Sequence, residues 1–263
     1  MRIASWNVNS IRARKDRIGA WLDRSDVDVL AIQELKCKDA QFPKEIFAER
    51  GYEVSFHGLN QWNGVAIASR VGLEDPELGF TEVPAFGDDP VVEARAISAT
   101  CNGVRVYSLY VPNGREVDHP HYFYKLDWFR ALAADVDVQL KANPSKKLVL
   151  CGDFNVAPFD EDVWDMEAFA GATHVSEPER QAFNDLLTVG LTEVTRPLAP
   201  GPGVYTFWDY QQLRFPKKQG MRIDFQLASA PLAEAATSAL IDREERKGKG
   251  ASDHAPVIVD YDV

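Results

Sequence analysis

The sequence predicts a mixed α/β sandwich, and three features of its pattern indicate this fold class. Short runs rich in β-branched and aromatic residues recur along all 263 residues, and this composition is typical of strands. Amphipathic helical patterns fall between these runs. Segments 53–70 and 93–111 have the spacing of hairpins, which join antiparallel strands. Strands that alternate with helices but also form hairpins favour packed mixed sheets over a purely parallel sheet.

Nine segments have the composition of strands. Each is short and rich in β-branched or aromatic residues. In chain order they are 2–8, 27–34, 53–58, 64–70, 104–111, 147–154, 205–208, 222–229 and 254–263.

Three segments have helical periodicity, because their apolar residues recur every three or four positions. Segment 11–23 places Ile11, Ile18, Trp21 and Leu22 on one face. Segment 178–188 carries Phe183, Leu186 and Leu187. For the longest segment, 123–141, the expected buried face consists of Phe123, Leu126, Phe129, Leu132, Val136 and Leu140.

Length and composition suit a single globular domain over residues 1–263. Apolar residues make up 45% and charged residues 26%, and no apolar run is long enough to span a bilayer. The Pro/Gly-rich stretch 197–203 is the best linker candidate, but strand-like sequence resumes directly after it, so we interpret it as a loop. The N-terminus lacks the order of a secretory signal, and three widely spaced cysteines form no disulfide framework, which favours a cytoplasmic protein.

The net charge of −11 is unusual for a nucleic-acid-binding protein. Three short segments nevertheless carry an excess of basic residues: 12–17 (RARKDR), 214–222 (RFPKKQGMR) and 243–249 (REERKGK). They can form one DNA-facing surface on an acidic body, or each can be an ordinary solvated loop or helix face.

Polar side chains follow several strand-like runs at the point where each run ends. Strand ends in α/β folds meet in a crevice where functional sites form, so we expect these side chains to lie close together. Their donor atoms are almost all oxygen, which suits magnesium or manganese rather than zinc. The pairs are Asn7 and Asn9, Gln33 and Glu34, Tyr110 and Asn113, and Asp153 and Asn155.

Two further residues near the C-terminus extend this set. Asp224 lies within an apolar run, where a carboxylate is costly to bury without a partner. His254 opens the last strand and is the natural partner. Each of these polar residues also has a purely structural explanation, such as a helix cap, a turn or a satisfied core histidine. Their repeated occurrence at strand ends favours a functional site.

Seven strings of the sequence resemble motifs of exonuclease III and the related abasic-site endonucleases, which belong to the endonuclease/exonuclease/phosphatase superfamily. They occur in order from residue 6 to residue 256 and leave no extra domain. The resemblance implies a four-layered, DNase I-like α/β sandwich with the site at one end of two packed sheets. The strings are WNVNSIRAR (6–14), QELKC (33–37), NGVAIASR (63–70), SLYVPNG (108–114), GDFNVAP (152–158), MRIDFQLAS (221–229) and SDHAP (252–256).

The resemblance implies a magnesium ion, for which manganese can substitute, held by Glu34 with Asn7 and Asp253. Asp153 would orient or deprotonate the attacking water. Asn155 and His254, the latter oriented by Asp224, would stabilise charge on the phosphate, which Tyr110 and Asn113 would also line. Asp153, Asn155 and His254 could form a second metal position, so one and two metals both stay open.

The resemblance also implies how DNA is bound. Phe207, Met221 and Ile223 match a small apolar pocket that accepts a sugar without its base, although such residues are as often part of a core. Arg115 and Gln211 match positions that probe the DNA grooves, and Asn9 is expected to contact DNA. The implied substrate is double-stranded DNA with abasic sites or blocked 3′ ends, in base excision repair near the nucleoid, and we expect a monomer without membrane contact.

Two alternatives stay open from the sequence. GDFN and SDH also occur in superfamily members that hydrolyse phosphoinositides, sphingomyelin or messenger-RNA tails. One alternative is therefore an enzyme that acts on a phosphorylated lipid or small molecule, but the basic segments and RIDF favour DNA. A DNA-binding module that has lost catalysis is the other alternative. Against it stands the presence of all the expected metal and catalytic residues: Glu34, Asp153, Asn155, Asp224, Asp253 and His254.

Overall fold

The computed structural model describes residues 1–263 and contains two six-stranded mixed sheets. The first sheet has the strand order β11-β12-β1-β2-β4-β3 and the second β5-β6-β7-β8-β10-β9. The strands are β1 (Arg2–Asn7), β2 (Val29–Gln33), β3 (Glu53–His57), β4 (Val65–Ser69), β5 (Glu74–Leu78), β6 (Ala96–Cys101), β7 (Val104–Tyr110), β8 (Leu148–Asp153), β9 (Leu191–Glu193), β10 (Asp224–Ser229), β11 (Ala236–Ile241) and β12 (Val257–Tyr261).

Helices cover the outer face of each sheet, which gives the four-layered α/β sandwich that the sequence predicts. The helices are α1 (Ile11–Ser25), α2 (Glu45–Ala48), α3 (Pro120–Ala142), α4 (Glu177–Thr188), α5 (Thr195–Leu198) and α6 (Ala230–Ala233). α1 connects the parallel pair β1 and β2, and α3 connects the parallel pair β7 and β8. Helical crossovers are the expected link between parallel strands. None of the helices is both long and apolar enough to cross a membrane.

Successive side chains of a strand point to opposite faces of its sheet, so the core has three layers: one between the two sheets and one between each sheet and its helices. In β2, Val29 and Ala31 point between the two sheets, whereas Leu30 and Ile32 point toward α1. Strands buried on both faces read as continuous apolar runs, which is why the central strands are easy to predict.

Buried polar side chains join the two sheets. Nε2 of Gln33 donates to Oγ of Ser108 at 3.0 Å, and that hydroxyl donates to the carbonyl of Ile32 at 2.8 Å. Nε2 of Gln226 donates to the carbonyl of Ile3 at 2.9 Å. Because unpaired polar groups are costly to bury, these bonds favour one register between the sheets.

Two local predictions are wrong. Segment 205–208 forms no strand: Phe207 forms only isolated bridges, one to Met221 and one to His254, because the chain there spans both sheets. In the long helix α3 the predicted face is buried at Phe129, Leu132 and Val136, but its first residue, Phe123, is not. Phe123 is 56% exposed, while Lys125 is fully buried. Lys125 is buried because it pairs with Glu179 of α4, which is buried as well.

Candidate active site

The ends of five strands place the predicted site residues around one centre. Asn7 ends β1, and Glu34 directly follows β2. Tyr110 at the end of β7 and Asp224 at the start of β10 are both direct strand neighbours of Asp153, which ends β8. His254 arrives from the segment before β12. Ligand atoms of Glu34, Asp153 and His254 lie within 4.8 Å of one another.

Asn7 joins the two central carboxylates. Its Nδ2 donates to Oε1 of Glu34 at 2.8 Å and to Oδ2 of Asp153 at 3.0 Å. Its Oδ1 accepts a bond from the backbone N–H of Asn9 at 3.1 Å. The two carboxylates come from different sheets, so Asn7 holds the sheets together at the site.

Glu34 is held in its ionised form. Burial acts to raise the pKa of Glu34, but the ammonium of Lys36 and the Asn7 amide outweigh it, so the pKa is lowered. Nζ of Lys36 lies 2.7 Å from Oε2 of Glu34. Glu34 also has a left-handed backbone with φ of 55°, which is uncommon for a non-glycine residue and occurs often at functional sites.

His254 and Asp224 form a buried pair. Nδ1 of His254 lies 2.9 Å from Oδ2 and 3.1 Å from Oδ1 of Asp224, while its Nε2 lies 3.7 Å from Oδ2 of Asp153. Burial acts to lower the pKa of His254, but Asp224 and Asp153 raise it to about 10. The imidazole is therefore cationic at neutral pH, and its Nε2 faces the centre of the site.

Asp153 carries the opposite perturbation. Burial, aided by the negative charges of Asp224 and Glu34, raises the pKa of Asp153 to about 7, although His254 and the N–H of Asn155 act against this rise. Three carboxylates in one buried cluster repel one another, and a bound cation relieves that repulsion. The charge distribution thus fits a divalent cation.

Asn155 and Asn113 form the second half of the site with a residue that the sequence analysis missed. Nδ2 of Asn113 donates to Oδ1 of Asn155 at 3.2 Å. Nε2 of His174 lies 3.2 Å from the same Oδ1 and 3.3 Å from Nδ2 of Asn113. Burial, together with the charge of Lys125, lowers the pKa of His174 to about 4, so this imidazole is neutral. His174 lies in a loop rather than at a strand end, and no local pattern indicates it.

A buried ion pair supports these two asparagines from below. Nζ of Lys125 lies 2.5 Å from Oε1 of Glu179, and both side chains are fully buried. The same Nζ donates to the carbonyl of Asn155 at 2.6 Å and, more weakly, to that of Asn113 at 3.5 Å. The hydroxyl of Thr173 bonds to Glu179 at 2.5 Å and precedes His174 in the chain. The pair therefore links all three loops that line this half of the site.

The comparison with a model of the endonuclease/exonuclease/phosphatase family decides which family this fold belongs to. The match extends over residues 4–254, which is nearly the whole chain. The chain belongs to this family.

Relatives within the family resemble the chain over its full length. An exodeoxyribonuclease of Bacillus subtilis is 29% identical, with 98% of each chain covered. The structure of the 3′ phosphatase NExo from Neisseria bound to product DNA hairpin is 38% identical, with a TM-score of 0.93 and 100% of both chains covered. An AP endonuclease from Archaeoglobus fulgidus is 34% identical, with a TM-score of 0.92 and complete coverage of both chains.

Members of this family are metal-dependent, and the donor set here suits a hard divalent cation. Glu34 and Asp153 offer carboxylate oxygens and the cluster contains no thiolate, while His254, as a cation, would offer Nε2 to a metal only after losing its proton. Asp253 lies beside the cluster and accepts a bond at its Oδ1 from Nδ2 of Asn9 at 3.0 Å. The assignment of Asn7 and Asp253 as ligands stays a prediction, as does a second metal position at Asp153, Asn155 and His254.

The residues predicted to bind the sugar lie beside His254. The rings of Phe207 and His254 have centroids 4.9 Å apart, and Phe207 is half-buried. Met221 and Ile223 are 8% and 2% exposed and pack with Ala157 in a small cluster behind Phe207. Phe207 thus presents the most surface of the three, and their role in binding stays a prediction.

The other predicted DNA contacts surround the site. Arg115 is exposed and lies in a cleft with Tyr110 and Asn113, and Gln211 is exposed on a separate loop. Oδ1 of Asn9 accepts a bond from Nζ of Lys36 at 2.6 Å. Their contacts with DNA stay predictions.

Side chains of the three basic segments meet near the site. The guanidinium of Arg14 donates to the carbonyl of Asn9 and, at 2.9 Å, to the hydroxyl of Tyr210. Arg246 packs over the rings of Tyr210 and of Phe215, which lies in segment 214–222, and Arg17 binds Glu245 at 2.6 Å. Arg222 and Arg246 are largely buried, so not every positive charge in these segments is available to a ligand.

Proposed function

We propose that this chain is a DNA-repair nuclease that hydrolyses the DNA backbone 5′ to abasic sites and removes blocking groups and nucleotides from 3′ ends. The observation that carries the proposal is the convergence of Glu34, Asp153 and His254, from distant parts of the sequence, within 4.8 Å. Such a cluster of two carboxylates and one cationic imidazole suits the hydrolysis of a phosphodiester bond.

Asp153 is the proposed general base. Its Oδ1 is occupied by the N–H of Asn155 at 2.9 Å, so Oδ2 is the oxygen oriented toward the centre. Oδ2 accepts a proton from the attacking water as the new phosphorus–oxygen bond forms and the bond to the leaving oxygen breaks. Asn7 and His254 orient this oxygen and favour its ionised form.

The remaining polar groups are placed to stabilise the phosphate. The cationic Nε2 of His254 donates to a non-bridging oxygen, since Asp224 occupies Nδ1. Asn155 and Asn113 would contribute amides, and Tyr110 a phenol. Burial, aided by the charge of Glu34, raises the pKa of Tyr110 well above its usual range, so the phenol keeps its proton and can donate.

Mg²⁺ is the proposed cofactor, with Mn²⁺ as a substitute, and Glu34 is its proposed main ligand. Bound there, the cation would neutralise charge on the phosphate and on the leaving oxygen. Asn7 and Asp253 are the proposed supporting ligands. Lys36 keeps Glu34 ionised when no cation is bound.

The proposed substrate is double-stranded DNA with an abasic site or a blocked 3′ end. An abasic nucleotide costs little to rotate out of the helix, and Phe207, with Met221 and Ile223 behind it, would contact the bare sugar. Arg115, Gln211 and Asn9 would contact the flanking DNA. We further propose that residues 1–263 act as one catalytic domain and as a monomer in the cytoplasm, at the nucleoid.

Cleavage assays test the proposal. The substrates are a duplex with one abasic analogue and a duplex with a 3′-phosphate, each assayed with Mg²⁺ and with EDTA. We expect magnesium-dependent cleavage of both by the wild type and none by Asp153→Asn. Hydrolysis of an inositol phosphate without DNA cleavage would instead assign the site to a phosphorylated small molecule.

A further inference from the structure

A cleft of about 420 Å³ lies beside the phosphate site and has no role in the mechanism described above. Tyr110 and Asn113 form part of its wall, so the cleft is continuous with the site. Trp62 and Leu59 line it from a loop between β3 and β4. A ligand in this cleft would therefore adjoin a phosphate held at Tyr110 and Asn113.

The loop that carries Trp62 is fixed to the segment that carries Glu34. The backbone N–H of Lys36 donates to the carbonyl of Asn63 at 2.9 Å, and that of Leu35 donates to Gly64 at 3.1 Å. A Cβ at Gly64 would lie 2.8 Å from Cβ of Leu35, so this close approach requires glycine. These contacts hold the base of the loop at a defined distance from Glu34.

Trp62 is the tryptophan most open to solvent. It is 63% exposed, whereas Trp6, Trp21, Trp128 and Trp208 are at most 1% exposed. Leu59 and Val91, on the rim of the same cleft, are 40% and 53% exposed. Large apolar side chains that gather around one cleft indicate a binding site for a ligand with an apolar surface.

The charges in the cleft favour a neutral ligand over a phosphate in its interior. Nε of Arg95 lies 2.6 Å from Oε2 of Glu93, and its guanidinium stacks 4.9 Å from the centre of the Tyr110 ring. The charge of Arg95 is thus already compensated, and the carboxylate of Glu93 would repel a phosphate. Arg115 is exposed and forms no ion pair, so it can bind a phosphate at the mouth of the cleft.

We propose that this cleft is a stacking subsite for an unpaired nucleobase next to the scissile phosphate, with Trp62 as the stacking surface. This inference rests on the proposed nuclease function. The base must be unpaired, because neighbouring base pairs cover both faces of a base within a duplex. Stacking on an aromatic side chain tolerates any base, which suits an enzyme that acts on DNA ends of many sequences.

Kinetics on paired substrates test the subsite. One duplex carries a 3′-phosphate on an unpaired terminal nucleotide, and a matched duplex lacks only the base of that nucleotide. We expect Trp62→Ala to raise KM about tenfold for the first duplex, the loss typical of one stacking contact, and to leave KM for the second unchanged. Trp62→Phe should retain most of the wild-type affinity. Trp164→Phe, which changes a half-buried tryptophan outside the cleft, is the control.

Intrinsic fluorescence gives a second readout. Binding of the first duplex in EDTA should quench the emission of wild type and Trp164→Phe but not that of Trp62→Phe. If the wild type cleaves DNA but wild type and Trp62→Ala have equal KM values on both duplexes, the subsite is overturned. The nuclease function is upheld in that case. Absence of DNA cleavage by the wild type would overturn the nuclease function and the subsite with it.

Discussion

Nδ1 of His254 lies 2.9 Å from Oδ2 of Asp224. Asp224 itself accepts a hydrogen bond from the hydroxyl of Thr206 at 2.6 Å, so the carboxylate that orients the ring is held in place. The pair comes from two sheets and directs the remaining ring nitrogen toward Asp153. His254 therefore enters the site as an oriented cation rather than as a free imidazole.

Asp224→Asn should lower the pKa of His254 from about 10 toward its usual value near 6.5, because the main source of its stabilisation is lost. The wild-type ring stays charged up to about pH 10, whereas the variant ring should lose its charge near neutrality. We expect kcat to fall about 10²–10³-fold at neutral and alkaline pH, and less in acid. NMR titration of His254 and the pH–rate profile measure both effects. An unchanged titration of His254 in Asp224→Asn would refute the role of Asp224.

The pKa of Asp153, raised to about 7 by burial and neighbouring acids, predicts an acid limb in the pH–rate profile. A general base works only when ionised, so activity should rise as pH increases through the pKa. A divalent cation favours the ionised form, so a higher Mg²⁺ concentration should move the midpoint of this limb to lower pH. Measurements of kcat/KM against pH at several Mg²⁺ concentrations check this. If the midpoint of this limb does not respond to Mg²⁺, Asp153 does not lie beside the bound cation.

The Lys125–Glu179 pair should position the site rather than only stabilise the fold. Lys125→Met alone leaves a buried uncompensated carboxylate and should reduce the free energy of unfolding by about 3–5 kcal/mol. The double variant Lys125→Met/Glu179→Leu should recover most of that stability, because a packed apolar pair can replace a buried ion pair. Its kcat should still be about 10–100-fold lower, because the carbonyls of Asn155 and Asn113 lose their donor. Thermal unfolding and kinetics of both variants test this. A stable double variant with the kcat of the wild type would show that the pair serves only the stability of the fold.

DNA binding should weaken steeply as salt concentration rises, since basic side chains displace counterions from phosphates. Lys217 and Lys218 are exposed on the loop that follows Tyr210. Alanine at each should reduce the slope of log K against log salt by about one. Lys141→Ala is the control, because Lys141 lies in the last turn of α3 and binds Asp137. A salt response equal to that of the wild type in both loop variants would remove this loop from the DNA-binding surface.

The sequence predicted the central strands and the residues at their ends because both signals are local. A strand buried on both faces is a continuous apolar run, and a carboxylate or amide directly after it is visible without any tertiary contact. β5 gave no such signal, since all five of its residues are exposed and one is a proline at a sheet edge. β11 likewise has no buried residue, and three of its six residues are exposed.

Residues that reach the site through tertiary contacts were not predictable. His174 is placed by the backbone bond from Ala157 to its carbonyl at 2.8 Å and by the buried pair below it. Lys125 lies in a helix where periodicity favours apolar residues, and only its partner Glu179 explains its burial. Such pairs depend on the packing of α3 against α4, which no short sequence pattern records.

The most direct test of the account is a calorimetric titration of the protein with Mn²⁺ in the absence of DNA, for wild type and Glu34→Gln. Glu45→Gln, which changes an exposed glutamate on α2, is the matched control. If Glu34, Asp153 and His254 surround one cation position, the wild type and the control should bind with equal affinity, and Glu34→Gln should bind at least about tenfold more weakly. Equal Mn²⁺ affinity in all three proteins would contradict a cation site at the ends of these strands.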